Sequence, residues 1–458
     1  MKVRWTDPDL QLSGSGSAVC GDRKKAVQGF FWLAGEKGVR FLSGVVVGFL
    51  VARHLGPVDF GRFGSAVATV GLIQFLVDLS LDPVLRREMV LAPERFGSVV
   101  VTGMAVRAVA AGLAVALLVG LAFSKFTDPK DRLLVLVLFG VLLQPVPMVA
   151  GAWFLSRLEA RPVSGVQMTV LAASIVMRVF LIAVDAPVEA FGAVLGGEVL
   201  ACGMIILGLG VSRGMVLKGA DIDWILARRM LKQALPLLLT ACSVLACSKI
   251  DMIMVRGLAG EAEAGVFYAA TRISEVWYPL GTVLAVTALP TLAGARDPGQ
   301  RIARVRLVLE FAVVLSALFA LPVSLAGRWI GELAYGPGYE ASGSVLAIHV
   351  WTVLFLFLGI VRSQWLLCEG NTRVLVPIAI ISVAGDILLN LMIIPRFGAI
   401  GAAWTTTVVF AFSGVFSSLL WSDSRILGLY QLRAMVWPRS GLHQLVDYIV
   451  CRLRGVER

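Results

Sequence analysis

The chain has 458 residues, of which 58% are apolar and only 16% charged, with a formal net charge of +11; its mean hydropathy is +0.85. A water-soluble protein carries about 25% charged and about 45–50% apolar residues, so the two or three soluble domains that the length alone would allow are excluded for want of polar surface. The composition is that of an all-α polytopic membrane protein, and at about 20 residues per spanning helix about twelve transmembrane helices fit into it.

In chain order, residues 1–28 are polar, with Ser-Gly repeats and Arg23-Lys24-Lys25, and read as a cytoplasmic N-terminal arm without a cleavable signal. Apolar windows then predict spans at about 29–53, 63–82, 98–123, 133–156, 163–184 and 188–211. A basic linker, 212–234, follows, in which Trp224, Ile225, Leu226, Met230 and Leu231 among Arg228, Arg229 and Lys232 predict an amphipathic helix on the inner interface. Six further spans are predicted at about 235–256, 265–291, 305–326, 341–367, 374–394 and 398–421. The tail, 422–458, is basic and either amphipathic or without order. Pro145, Pro147, Pro236, Pro279, Pro322 and Pro377 lie inside apolar stretches and predict kinks.

The connections on one side hold about 26 Lys and Arg and those on the other about 8, so the positive-inside bias places both termini in the cytoplasm and requires an even number of spans. That asymmetry, beside anionic lipid, accounts for the net charge without nucleic acid, for which no basic run interleaved with aromatics exists. Cys202, Cys242, Cys247 and Cys368 fall in apolar runs and no CxxC occurs, so neither metal nor redox pair is indicated.

The halves repeat one another. Arg53-His54-Leu55-Gly56 followed by Gly61-Arg62-Phe63 parallels Arg256-Gly257-Leu258-Ala259-Gly260 followed by Gly265-Val266-Phe267, at an offset of about 204 residues. Phe191-Gly192-Ala193-Val194 parallels Phe397-Gly398-Ala399-Ile400 at about 206. Two matches at nearly one offset predict six spans plus six, 29–211 and 235–421, in the same orientation, with a substrate path between the lobes. Chance similarity of glycine-rich turns is the competing explanation.

At these residues the chain resembles the polysaccharide-biosynthesis flippases (Wzx type) of the multidrug/oligosaccharidyl-lipid/polysaccharide exporter superfamily. The resemblance rests on Val51-Ala52-Arg53-His54-Leu55-Gly56-Pro57-Val58-Asp59-Phe60-Gly61, Gly265-Val266-Phe267-Tyr268-Ala269-Ala270-Thr271-Arg272 and Gly336-Pro337-Gly338-Tyr339. Glu369-Gly370-Asn371-Thr372 and the stretch from Asn390 to Ala403 complete it, so that it spans residues 28–421. It implies a MATE-like fold of two six-helix lobes in the bacterial inner membrane, carrying lipid-linked oligosaccharide between leaflets by alternating access. It implies no cofactor, and as partners membrane lipid and the polymerase and glycosyltransferases of surface polysaccharide synthesis, such as lipopolysaccharide O-antigen or exopolysaccharide. Many members have fourteen spans, two more than the windows give here.

Ionisable groups inside spans are costly and face a cavity or a partner. Lys37, Arg40, Arg107, Arg178, Lys249, Arg272 and Arg362 stand against Glu36, Asp78, Glu198, Asp251, Glu275, Glu310 and Asp386. Some will be structural pairs: Glu36 with Arg40 and Arg272 with Glu275 have helical spacing, and Lys249 and Asp251 fall near the predicted membrane surface. A pyrophosphate head group needs fixed guanidinium groups. Arg40 and Arg272, approaching from opposite lobes, are the expected phosphate clamp, with Arg178 and Arg362 as further candidates; for Arg272 the resemblance also implies it. Asp78, Glu198, Glu310 and Asp386 are candidates for ion coupling. A cation-coupled drug exporter of MATE type would favour acidic, aromatic pockets. A membrane glycosyltransferase or ligase would need a larger outer loop than any predicted, and His54, His349 and His443 suggest no nucleophile pair. No phosphate loop for ATP is present. A membrane scaffold would have no use for buried charge pairs in repeated lobes.

Overall fold

The structure, a computed structural model, describes residues 16–91, 93–215, 221–293 and 297–436. Every regular element among them is helical. α1 (Gly16–Asp78) runs for 63 residues and breaks at Gly56, where φ is 70° and ψ 173°. This backbone conformation is open to glycine and strained for other residues. The two predicted spans at 29–53 and 63–82 are thus the two arms of α1, and α2 (Leu81–Leu91) continues the second. The backbone is already helical from Gly16, well before the expected boundary at 28; residues 1–15 lie outside the described residues.

α3 (Phe96–Lys125) is followed by a span in three pieces: α4 (Pro129–Val137), α5 (Phe139–Leu143) and α6 (Val149–Ser156). The interruption falls at Pro145 and Pro147, as expected of residues without an amide donor. Arg107 of α3 fills it, donating to the Pro145 carbonyl at 3.0 Å and to the Asp82 carboxylate at 2.7 Å. α7 (Ala160–Ala183) and α8 (Val188–Ser212) complete the N-terminal half.

The second half comprises α9 (Trp224–Ala259), α10 (Glu261–Ser274), α11 (Leu280–Ala293), α12 (Pro298–Tyr335), α13 (Ser342–His349) and α14 (Thr352–Cys368). α15 (Leu375–Ala411), a π-helical turn (Phe412–Phe416), α16 (Ser417–Leu420) and α17 (Ser422–Val436) follow. α15 breaks at Gly398, with φ 56°, as α1 does at Gly56. Pro279 interrupts the chain between α10 and α11, but helices run on through Pro236, Pro322 and Pro377. Pro377 sits in the first turn of α15, where its missing donor has no intrahelical acceptor anyway. Seven described segments are long and apolar enough to cross a membrane, two of them, Gly35–Leu91 and Leu375–Leu420, containing the glycine breaks.

The linker differs from expectation. Asp223 caps α9 by accepting from the amides of Ile225 and Leu226, both at 2.9 Å. The helix then continues for 36 residues into the seventh predicted span. Leu226, Met230 and Ala234 pack into the apolar core of the N-terminal half beside Trp153, and Arg229 meets Glu88 at 2.9 Å. The opposite face, with Trp224, Ile225, Leu231 and Leu235 among Arg228, Arg229 and Lys232, stays exposed. Of the tail, 422–436 is α17, with Leu427 and Ala434 buried; 437–458 lie outside the described residues.

Of the larger apolar clusters among the described residues, one belongs to the N-terminal half with the start of α9 and another to the C-terminal half. A third joins the halves, packing Phe60 and Phe63 of α1 against Phe267 and Tyr268 of α10 and Tyr335 and Tyr339. It lies beside the breaks at Gly56 and Gly260, whose φ/ψ values, 70°/173° and 96°/176°, are nearly the same at paired positions of the repeat. We call this end the seal face and the opposite end the basic face. Here a Cβ on Gly61 would meet the Glu261 carbonyl, and one on Gly265 the Pro57 carbonyl, inside van der Waals contact. The Tyr339 hydroxyl donates to the Ala52 carbonyl at 2.9 Å across the same junction.

A side chain at Gly61 will therefore pry the seal open, overpacking costing about 1–3 kcal/mol. Val51, buried at the seal end of the space between the halves, reports this. In a cysteine-free background, Gly61→Val should raise labelling of Val51→Cys by an impermeant thiol reagent on the seal face by about tenfold. An unchanged rate would show that the close approach does not hold the seal.

Candidate functional site

Inside the seal, between the halves, lies a cavity of about 250 Å³. α1 supplies Arg40 and Phe49, α7 Arg178, α8 Glu198, α10 Tyr268 and Arg272, and α12 Tyr335. Three of the four arginines expected to bind phosphate are thus brought together from both halves, Arg40 and Arg178 from one and Arg272 from the other. Arg362 is not among them: it lies within the C-terminal half and lines a different cavity. Spacing alone could not assign it, because spacing along α14 does not say which neighbour a residue faces.

Carboxylates position two of the three. Arg40 Nε donates to Glu36 at 2.7 Å, the expected i,i+4 pair, and its Nη1 stands 3.5 Å from Glu198. Glu198 also accepts from Arg178 at 2.7 Å and from the Ser174 hydroxyl at 2.6 Å. Placed as an ion-coupling candidate from the sequence, Glu198 is here the acceptor that holds two guanidinium groups. Arg272 does not pair with Glu275, which faces Lys249 at 3.9 Å. It donates instead to the Tyr268 hydroxyl, with its guanidinium 4.7 Å from the centre of that ring. Arg272 is exposed to the cavity, and among the described residues no carboxylate lies within ion-pair distance of it. Three guanidinium groups against Glu36 and Glu198 leave the cavity one positive charge in excess, suited to an anion.

The remaining acidic candidates separate. Glu310 is buried against Arg306 at 2.9 Å, and Asp78 lies beside the Arg107–Asp82 pair, Arg107 reaching its carbonyl at 3.4 Å. Asp386 instead belongs to a fully buried polar cluster. Asp251 beside it accepts from Asn390 and from Thr406, each at 2.5 Å. Asp251 was expected near the membrane surface; it is wholly buried because α9 continues past it as the wall of the C-terminal half. The spacing of Asp386 and Asn390, four apart on one helix face, was the available signal for this cluster. Both oxygens of Asp386 are buried without a hydrogen-bond partner among the described residues. Among the described residues no group of three or more His, Cys, Asp or Glu is gathered as for a transition metal.

The seal end carries its own charges. Arg62 meets Glu261 at 2.7 Å and Asp128 at 3.3 Å, and Arg256 meets Asp131 at 2.5 Å and Glu261 at 2.8 Å. Arg62, Asp128 and Asp131 come from the N-terminal half, Arg256 and Glu261 from the other, so the network spans the junction. Burial opposes ionisation of Glu261, but hydrogen bonds from Arg62 and Arg256 prevail and hold its carboxyl below the usual glutamate range.

Halves joined at one end around a charged cavity define a multi-pass membrane transporter of MATE-like fold. Residues 26–294, more than half the chain, match the family described as polysaccharide biosynthesis protein, and the chain belongs to that family. Residues 236–392 also match the MatE family. Over 167 residues the chain is 26% identical to "Probable flippase AglR" of Haloferax volcanii, a match that covers 35% of this chain and spans only 34% of that relative. The fold is shared with the inward-facing conformation of a multidrug resistance MATE family transporter of the MOP superfamily, at 14% identity, 89% of this chain, 96% of that chain and a TM-score of 0.63. It is shared also with the lipid II flippase MurJ in an inward closed conformation, at 13% identity, 94% of each chain and a TM-score of 0.65.

A lowered pKa in the closed state stabilises that state above the ordinary carboxyl value and ceases to as pH falls through the lowered one. The seal should hold from neutral pH down to about 4.3 and loosen below it. Glu261→Gln should raise the open population at pH 7 by roughly 1 kcal/mol, about fivefold, read as Val51→Cys labelling from the seal face. Labelling indifferent to both acid and Glu261→Gln would remove the network from the gate.

Proposed function

We propose that the protein is a flippase that carries a polyprenyl-pyrophosphate-linked oligosaccharide from the cytoplasmic to the outer leaflet of the bacterial inner membrane, for surface polysaccharide synthesis. The single observation that carries this reading is the gathering of Arg40, Arg178 and Arg272, from both halves, in one cavity. A pyrophosphate there takes the place of the missing counter-charge, and guanidinium meets phosphate oxygens in a bidentate fork. The lobes are 29–211 and 235–421, with the linker 212–234 between them, and the basic face, with both termini, is cytoplasmic. The cavity receives the head group from the inner leaflet; opening of the seal at Gly61 and Gly265 releases it to the other. Glycosyltransferases supply the cargo and a polymerase consumes it. Family membership and the flippase named among its relatives support the same reading.

Coupling to an ion is assigned to Asp386 with its neighbour Asp251, since neutralising that pair changes the packing between α9 and α15. A MATE-type exporter of organic cations is the second reading. Against it stands the occupancy of Glu36 and Glu198 by arginines, which leaves no open carboxylate in the cavity for a cationic drug.

Arg40→Ala and Arg272→Ala should each abolish export of the surface polysaccharide while the protein still inserts. Each removes a charged contact of about 1.5–3 kcal/mol, which is roughly tenfold to a hundredfold in cargo affinity. Normal export by both variants would rule out the clamp.

A further inference from the structure

Among the described residues Arg362 is a cation without a counter-ion, in a place the transport path does not explain. Only 6% exposed, it lines a second cavity, of about 150 Å³, enclosed by α14, α15 and the π-helical turn, with Cys247 of α9 at one side. Its Nη1 makes both of its hydrogen bonds, to the Ser413 carbonyl and to the Ser417 hydroxyl. Its Nε is buried and has no partner. Among the described residues no carboxylate lies within ion-pair distance. The Nε–Nη2 edge, with which a guanidinium grips an oxyanion in a fork, is therefore left unused beside an empty space.

The surroundings say which anion fits. π-helical turns recur at functional sites, and this one releases two carbonyls: Ser413 takes Arg362, and Gly414 accepts from the Gln431 amide of α17 at 2.9 Å. The guanidinium is thereby fixed from behind. Ser363 and Ser382 are the other polar side chains nearby, while Phe355, Ile360, Leu375 and Phe410 make the walls apolar. Arg362 stands six residues before the end of α14 at Cys368, about 9 Å at 1.5 Å per residue. Neighbouring side chains already face lipid: Ile380, next to the lining Ala379, is 64% exposed, and Phe416 of the π-helical turn 49%. An oxyanion carried on a hydrocarbon chain satisfies both the fork and the walls, whereas a free anion satisfies only the first.

We propose that this cavity binds the anionic head group of a lipid, its phosphate or carboxylate on Arg362 and the start of its chain along the apolar wall, as a site separate from the transport cavity. The site does not depend on the clamp reading, and its test is independent of transport.

The test is native mass spectrometry of the purified full-length protein, delipidated and then offered phosphatidylglycerol, phosphatidylcholine with the same chains, or inorganic phosphate. The parent protein should retain phosphatidylglycerol at least about tenfold better than phosphatidylcholine, one charged contact, and inorganic phosphate should not compete. Arg362→Gln should abolish that preference. Ala379→Phe, which fills the cavity and leaves Arg362 in place, should do the same and decides the matter if Arg362→Gln does not fold. Arg272→Ala should keep the preference. Equal retention of the two lipids by the parent, or an undiminished preference in Ala379→Phe, would overturn the proposal. Displacement of phosphatidylglycerol by inorganic phosphate would overturn its lipid part and make the site one for a soluble anion.

Discussion

The structure depends on a contact between two backbones. Gly61 lies against the Glu261 carbonyl and Gly265 against that of Pro57, so α1 and α10 meet where no side chain intervenes. Everything at the seal face is built around that approach: the aromatic cluster that fills its rim and the Arg62–Glu261 and Arg256–Asp131 pairs that cross it. Helices are stiff, and Arg272 stands seven residues, about two turns, beyond Gly265 on the same helix. Whatever moves Gly265 must therefore also move Arg272, while Arg40 lies on the other arm of α1, before the break at Gly56. Gate and Arg272 are two points on one lever.

That geometry gives the charges different duties. Glu36 and Glu198 hold Arg40 and Arg178 in place at the distances of formed ion pairs, which lowers the cost of keeping guanidinium groups away from water. Among the described residues Arg272 has only a tyrosine as a hydrogen-bond partner, and its charge is left unbalanced. Charges at the seal face lie at helix ends and beside the break at Gly56, with Arg62 and Glu261 partly exposed and Asp131 buried. The Asp251–Asp386 cluster is wholly buried, with Asn390 and Thr406 donating to Asp251.

How much was legible in the sequence follows from which physics each feature rests on. The spans were legible because the bilayer demands about 20 apolar residues in a row, and the repeat because Gly56 and Gly260 are required by one backbone turn. Arg40, Arg178 and Arg272 were legible as charges out of place. Their meeting was not, since it is set by the packing of four helices. Arg362 carried the same signal and lies in another cavity, as spacing along a helix says nothing about which neighbour it faces. Asp251 was hidden by its position near a window edge, and the start of α9 was read as lying on lipid because an amphipathic face does not reveal whether lipid or protein covers it.

A cavity with excess positive charge should recognise the head group by its phosphates. The most direct measurement is retention, by native mass spectrometry of the purified protein, of a polyprenyl-pyrophosphate oligosaccharide against the same polyprenyl glycoside without phosphate. Retention that falls at least about a hundredfold on losing the two phosphates is expected, from charged contacts of about 1.5–3 kcal/mol each. Equal retention of both, or displacement of the cargo by an organic cation, would contradict a cationic clamp between the lobes.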